Sequence, residues 1–235
     1  MRPSELLCPR PEGLYCPPGD FFIDPVRPVA RALVTHGHSD HARAGHRAVL
    51  ATGQTLDIMA LRYGDGFAGS TQAAGFGETI DLNGVAVTFH PAGHVLGSAQ
   101  IAVEHRGTRI VASGDYKRAA DPTCLPFEPV ACDVFISEAT FGLPIFRHPP
   151  AEDEVARLLA SLKLFPERTH LIGAYSLGKA QRLARLIRLA GYDRPLYIHG
   201  AMEAMMRLYQ AEGIDLGDIV KVGRASCRER VYACV

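Results

Sequence analysis

Residues 34–46, VTHGHSDHARAGH, decide how the rest of the chain is read. An apolar run, Ala32 to Thr35, leads directly into His36-x-His38-x-Asp40-His41. Three imidazoles and a carboxylate thus fall within six residues. A solvated polar loop accounts for one or two histidines, but not for three at this spacing. Imidazole nitrogen and carboxylate oxygen are ligands of Zn²⁺ and similar divalent cations, and a loop leaving a strand can fold several such groups inward. Of the 10 histidines in the chain, His46, His90, His105, His148 and His170 show no matching spacing and read as structural or exposed.

A single cluster cannot complete a dinuclear site, so further ligands are expected at other strand ends. His94 lies in HPAGHVLGSA, a turn-rich loop between two candidate strands; taken alone it reads equally well as a structural histidine. Asp115 lies in VASGDYKR, directly after a strand ending at Ser113. A carboxylate there can bridge two cations; alone, it also reads as a turn residue after Gly114. Asp24, in FFIDP, reads either as a group orienting a metal-bound imidazole or as a turn residue before Pro25.

Outward from this stretch, the N-terminal part is a series of short β-runs separated by turn residues. Candidate strands are Leu14 to Cys16, Phe21 to Ile23, Ala32 to Thr35, Val49 to Ala51, Val85 to His90, Ile101 to Glu104, Arg109 to Ser113 and Val134 to Ser137. One helix is predicted, Thr55 to Tyr63, closed by Gly64. Many strands with functional loops at their ends suggest a sheet sandwich. After about residue 148 the rhythm becomes βαβα. A helix over Ala151 to Leu164 carries Glu152, Asp153 and Glu154 in its first turn, where the helix dipole favours acids. A strand at Thr169 to Ala174, a helix at Leu177 to Ala190, a strand at Leu196 to Ile198 and a helix at Ala201 to Gln210 follow. This predicts a parallel α/β piece. The expected organisation is 1–145, 146–222 and a tail, 223–235. The tail (GRASCRERVYACV) fits neither pattern and reads as disordered or as foreign sequence.

Composition narrows the class. The 235 residues are 47% hydrophobic and 21% charged, which is ordinary for a globular chain. Lys+Arg and Asp+Glu are 25 each, which argues against a polybasic arm. No apolar run suits a signal peptide or a membrane span, and six scattered cysteines suit a reducing, cytoplasmic setting. Charge is nevertheless uneven: residues 1–150 hold 12 Lys+Arg against 15 Asp+Glu, and residues 151–235 hold 13 against 10. Arg182, Arg185 and Arg188 recur every three residues on one predicted helix face, either as a phosphate-tracking ridge or as a solvated face. The turn before that helix, with Ser176 and Lys179, offers a phosphate seat at a helix N-terminus, without the P-loop pattern of a nucleotide triphosphate site.

The order Asp24, His36-x-His38-x-Asp40-His41, His94, Asp115 resembles the metallo-β-lactamase superfamily. AGHVLGSA around His94 and SEATFG around Glu138 resemble its β-CASP nucleases. Together with GAYSLGKAQRLARLI and YIHGAME, the chain is most similar to the DNA-ligase-associated exonucleases of that group, over residues 13 to about 215. The resemblance implies an α/β fold: a metallo-β-lactamase αββα sandwich with a β-CASP α/β insertion. It implies His36, His38 and His94 on one metal, Asp40 and His41 on a second, and Asp115 bridging. The cofactors implied are two divalent ions, zinc first and manganese as the alternative. Glu138 and His199 match two β-CASP elements. The group's further downstream histidine has no counterpart, since no His follows residue 199, so the insertion reads as incomplete.

The chemistry expected is phosphodiester hydrolysis by hydroxide held between the two cations. Asp40 would manage its proton and His199 would act as acid, although spacing alone leaves His199 equally a structural residue. The partner expected is nucleic acid, DNA ahead of RNA, with a DNA ligase as functional associate and no membrane. The alternatives are a β-CASP ribonuclease and a truncated, non-catalytic nucleic-acid-binding fragment.

Overall fold

The computed structural model describes residues 1–222 and 231–234. Contacts divide the chain into two units, Met1–Ala139 and Thr140–Val235, a boundary slightly earlier than the expected 145.

The first unit is built from two sheets. One has six strands in the order β1 (Cys8–Arg10), β2 (Gly13–Cys16), β3 (Phe21–Ile23), β4 (Arg31–Leu33), β5 (His46–Thr52) and β6 (Ala68–Ala74). β1 to β3 pair antiparallel, and β3 to β6 run parallel. The second sheet runs β7 (Thr79–Leu82), β8 (Val85–Pro91), β9 (Ala99–His105), β10 (Thr108–Ala112) and β11 (Val134–Ile136). It is an antiparallel meander to which β11 adds a parallel edge. In β8, burial alternates along VAVTFHP with the period of two of a strand covered on one face.

Leu33 and Leu50 from the first sheet share one apolar cluster with Val87, Phe89, Ile101 and Ile110 from the second, so the two sheets pack face to face. The far side of the first sheet buries Ala32, Val34, Val49 and Ala51 with Met59 of helix α2 (Gly53–Tyr63). α2 starts where it does because Thr52 Oγ1 accepts the Thr55 N–H, at 3.3 Å, as an N-cap. A short helix, α1 (Pro3–Leu6), precedes β1 and buries Leu6 in the inter-sheet core. Within Met1–Ala139, no described helix covers the outer face of the second sheet, so the expected αββα sandwich is seen here as two sheets with α2 on one side.

The second unit holds a four-stranded parallel sheet in the order β12 (His170–Gly173), β15 (Val231–Cys234), β13 (Leu196–Ile198) and β14 (Ile219–Lys221). Its helices are α3 (Ala151–Leu164), α4 (Lys179–Leu189) and α5 (Glu203–Ala211), the last preceded by a 3₁₀ turn, Gly200–Met202. α4 buries Ala180, Ala184 and Ile187, the i, i+4, i+7 stripe of an amphipathic helix. The sequence expectation of a disordered or foreign tail meets a different arrangement in part. Val231–Cys234 form a strand between β12 and β13, while residues 223–230 and 235 lie outside the described residues.

Candidate metal centre

The loop after β4 carries His36, His38, Asp40 and His41; the loop after β8 carries His94; the loop after β10 carries Asp115. All three loops leave their strands at the same rim of the sandwich. His36 Nε2 lies 3.0 Å from His38 Nδ1, and His94 Nε2 lies 3.1 Å from His38 Nδ1. Asp115 Oδ2 stands 3.7 Å from His36 Nε2 and 3.5 Å from His94 Nε2. One atom from each of His36, His38, His94 and Asp115 lies within 4.8 Å of all the others.

This donor set fits a divalent cation. Four ligands at tetrahedral corners about 2.0–2.1 Å from zinc stand about 3.4 Å apart, and the four spacings here bracket that value. The imidazole nitrogens of His36, His38 and His94 crowd one another at ligand spacing, an arrangement that a shared cation suits.

Asp115 turns its other oxygen elsewhere: Oδ1 lies 3.4 Å from His41 Nε2, and that same nitrogen is 3.7 Å from Asp40 Oδ2. A second group of donors, His41, Asp40 and Asp115 Oδ1, therefore adjoins the first. The Asp40 side chain is 75% exposed and faces solvent.

Asp24 organises the cluster from behind. Its Oδ1 accepts the Thr35 N–H at 2.8 Å, and its Oδ2 accepts the Thr35 hydroxyl at 2.6 Å and His41 Nδ1–H at 2.8 Å. Because Thr35 donates to Asp24, its Oγ1 is left to accept from His36 Nδ1 at 3.1 Å. His36 is thus fixed in the Nδ1–H tautomer, and the bond from His41 Nδ1 to Asp24 turns the Nε2 of both rings to the rim. Asp24 itself adopts φ +45°, so the backbone is bent there to present the carboxylate.

Close backbone approaches hold the three loops together. Gly114, with φ +54°, passes so near Thr35 that an added Cβ would stand 2.7 Å from its side chain. Lys117 N–H donates to Ala92 C=O at 3.0 Å, tying the Asp115 loop to the His94 loop. Ser98 Oγ accepts the N–H groups of His94 and Val95 at 3.0 and 3.1 Å. The Lys117 ammonium pairs with the buried Asp121 carboxylate, which also accepts from Thr123.

The electrostatics follow from burial and neighbours. Burial holds His36 well below the usual histidine range, and the nearby His41 and His38 add to this. Burial, then His38, pulls His94 down to about 4. For His41, burial works against the charged ring, but hydrogen bonds to Asp115 and Asp24 outweigh it and bring the group up to about 10. The hydrogen bond from His41 in turn lowers Asp115.

The other residues singled out from sequence are placed as follows. Glu138, just after β11, is half-buried; its N–H donates to Ser113 Oγ at 3.4 Å and its charge acts on His94. His199, exposed after β13, caps the 3₁₀ turn, its Nδ1 accepting the Ala201 N–H at 3.2 Å. The arginine ridge is reinterpreted. Arg188 donates to the carbonyls of Leu216, Tyr192, Arg194 and Asp218, and Arg185 pairs with Asp215 at 2.9 Å, so both guanidiniums are committed within their own unit. Arg182 is half-buried. At the turn before α4, the Gly178 amide is already taken by Gln181 Oε1, whose Nε2 donates to the Ser176 carbonyl, and Lys179 lies over the Tyr175 ring. His46 is buried, accepting the Val29 N–H. Sequence reading passed over Thr35 and Ser98; the available signal for Thr35 was a hydroxyl directly before His36 and one strand away from Asp24.

A sandwich of two sheets with histidines and acids gathered at one rim defines a metallohydrolase class. The proteins this chain is similar to include nucleases of the β-CASP group of the metallo-β-lactamase superfamily. It is 32% identical over 234 residues to a probable DNA ligase of Opitutus terrae, covering 94% of this chain and 22% of that protein. It is 35% identical over 114 residues to cleavage and polyadenylation specificity factor subunit 3 of Dictyostelium discoideum, covering 47% of this chain and 14% of that protein. It is 34% identical over 115 residues to endoribonuclease YSH1 of Saccharomyces cerevisiae, covering 47% of this chain and 14% of that protein. The chain therefore spans less than a quarter of the length of these relatives. No family model matches it. A crystal structure of a protein of unknown function from Enterococcus faecalis V583 shares its fold with a TM-score of 0.58 at 14% identity, covering 87% of this chain and 58% of that one. No described helix is long and apolar enough to cross a membrane.

Proposed function

We propose that this chain is the hydrolytic part of a metal-dependent DNA exonuclease that works alongside DNA ligation and repair in the cytoplasm, built on a metallo-β-lactamase sandwich with a β-CASP insertion. The observation that carries the reading is the convergence of His36, His38, His94 and Asp115 from three loops onto one point. The similarity to a probable DNA ligase over 94% of the chain supports the DNA assignment.

In this reading His36, His38, His94 and Asp115 would hold one divalent cation, zinc or manganese, and His41, Asp40 and Asp115 would hold the other. Cations bound there would acidify water and neutralise charge growing on the phosphoryl oxygens. Asp24 and Thr35 keep the His36 and His41 rings turned with Nε2 to the rim. Asp40, exposed beside His41, takes up the proton of the attacking water. His199 serves as the acid that the family resemblance implies; to donate a proton its ring must be protonated on both nitrogens, so Nδ1 must first release the Ala201 N–H that it accepts. Glu138 supplies a second carboxylate whose charge acts on His94.

A second reading, hydrolysis of RNA, is favoured by the endoribonuclease relatives. Digestion of 5′- and 3′-labelled DNA and RNA, with Zn²⁺ or Mn²⁺ and with chelator, distinguishes the two. Metal-dependent trimming of DNA from one end, lost in Asp115→Asn, is expected; intact substrates under every metal condition overturn the proposal.

A further inference from the structure

We propose that the recess flanked by Arg27, Ser39 and Arg43 seats a nucleic-acid strand through its phosphates, beside the scissile position; this rests on the nuclease reading above. The recess has a volume of about 510 Å³ and is open to solvent. It forms where the segment after β3, the loop carrying Asp40 and His41, and Tyr63 at the end of α2 come together. Asp40 belongs both to its wall and to the donor cluster, so the recess continues into the candidate metal centre.

The chemistry of the walls selects an anion. Arg27 and Arg43 are exposed, and neither has an ion-pair or side-chain hydrogen-bond partner among the described residues. Their neighbours differ: Arg31 and Arg62 are spent on the carbonyls of Gly19 and Gly37. A guanidinium stays charged at any working pH, and its fork of donors matches phosphate oxygens. Asp40 offsets one of the two positive charges. When Asp40 holds a cation, the rim is left cationic, so metal loading and strand binding favour each other.

The shape selects a strand over a free ion. The recess is open and wide rather than a closed cup, and backbone contacts of this kind position a nucleic acid without reading its sequence. The Ser39 hydroxyl is exposed as a further phosphate donor. The Tyr63 hydroxyl donates to the Ala42 carbonyl at 2.8 Å, which steadies a ring that remains 38% exposed. Such a ring offers a plane on which any base can stack.

The test reads binding in the full chain, using a fluorescein-labelled phosphorothioate oligodeoxythymidylate of about 20 nucleotides and anisotropy over about 50–200 mM KCl. Arg27→Ala and Arg43→Ala are each expected to make the plot of log affinity against log salt shallower by about 0.7, the contribution of one single-strand phosphate contact. Arg106→Ala, the same charge change in the β9–β10 turn, is expected to leave the slope as it is. Unchanged slopes in both recess variants, or an equal loss in Arg106→Ala, overturn the proposal. Hydrolysis of bis(p-nitrophenyl) phosphate is read on the wild-type chain and on Arg106→Ala, where it is expected to keep the same rate. A wild-type chain that hydrolyses no diester removes the catalytic reading, while the anisotropy slopes still decide the recess.

Discussion

Replacing Asp24 by Asn tests the claim that one carboxylate behind the rim fixes the imidazoles in front of it. Asp24 Oδ2 accepts from both the Thr35 hydroxyl and His41 Nδ1, so an amide NH₂ in its place would confront two donors while Oδ1 kept the Thr35 N–H. A hydrogen bond to a charged group contributes about 1.5–3 kcal/mol, so losing two removes at least about 3 kcal/mol. The low end applies because His41 retains Asp115 and the Thr35 hydroxyl retains His36. Exposure of 15% at Asp24 leaves little screening to reduce this. The effect carries a pH signature. His41 is raised to about 10 in the folded chain, from about 6.5 when unfolded. Stability from its charged form is therefore complete below about pH 6.5 and lost as pH rises through about 10. Urea unfolding followed by circular dichroism is expected to show Asp24→Asn less stable by about 3 kcal/mol near pH 6 and by only about 1 kcal/mol near pH 11. A difference below about 1 kcal/mol near pH 6, or one that stays constant with pH, refutes the role given to Asp24.

Three further outcomes follow from the same structure. Zn²⁺ added near pH 7.5 is expected to release about one proton per chain, since burial keeps His36 and His94 neutral while His41 must give up its proton to bind; calorimetry in two buffers of different ionisation enthalpy measures it, and no release contradicts the assignment of His41. Gly93→Ala places a Cβ 2.4 Å from the Lys117 carbonyl and 2.9 Å from the Phe127 amide at φ +72°. It is expected to cost about 2–4 kcal/mol and to loosen the His94 loop from the Asp115 loop, and an unchanged melting temperature would count against that junction. Arg188→Ala leaves four carbonyls without their donor and is expected to destabilise the second unit by about 2–3 kcal/mol. Its nucleic-acid salt slope should stay at the wild-type value, and a slope shallower by about 0.7 would restore the phosphate ridge.

Several elements were legible because local pattern and tertiary role coincide. β8 and β10 show the alternation or apolar run of strands covered on one or both faces, and α3 opens on three acids. β6, AGSTQAA, escaped notice because an edge strand held only by β5 exposes most of its small, polar side chains and so carries no hydrophobic period. β15 carries no local signal of its own, because a strand hydrogen-bonded on both sides depends on partners far away in sequence. The three-residue spacing of Arg182, Arg185 and Arg188 gives a shared helix face but not its use. Asp215 and the carbonyls around Leu216, which claim two of those arginines, lie about thirty residues downstream.

What the sequence determined by itself is the donor chemistry. Three histidines and an aspartate packed into six residues after a strand have few other uses, and their side chains are the ligands of a divalent cation whatever surrounds them. What only the tertiary structure decided is convergence. His94 lies 56 residues beyond His38, and nothing local to either could place their nitrogens 3.1 Å apart. That distance is set by two sheets burying a common core, which carries the ends of β4, β8 and β10 to one rim, and by the close approaches at Gly114 and Lys117 that fix the loops there. The free energy of apolar burial across the whole sandwich offsets the entropy of ordering three loops, and no single stretch of sequence contains it.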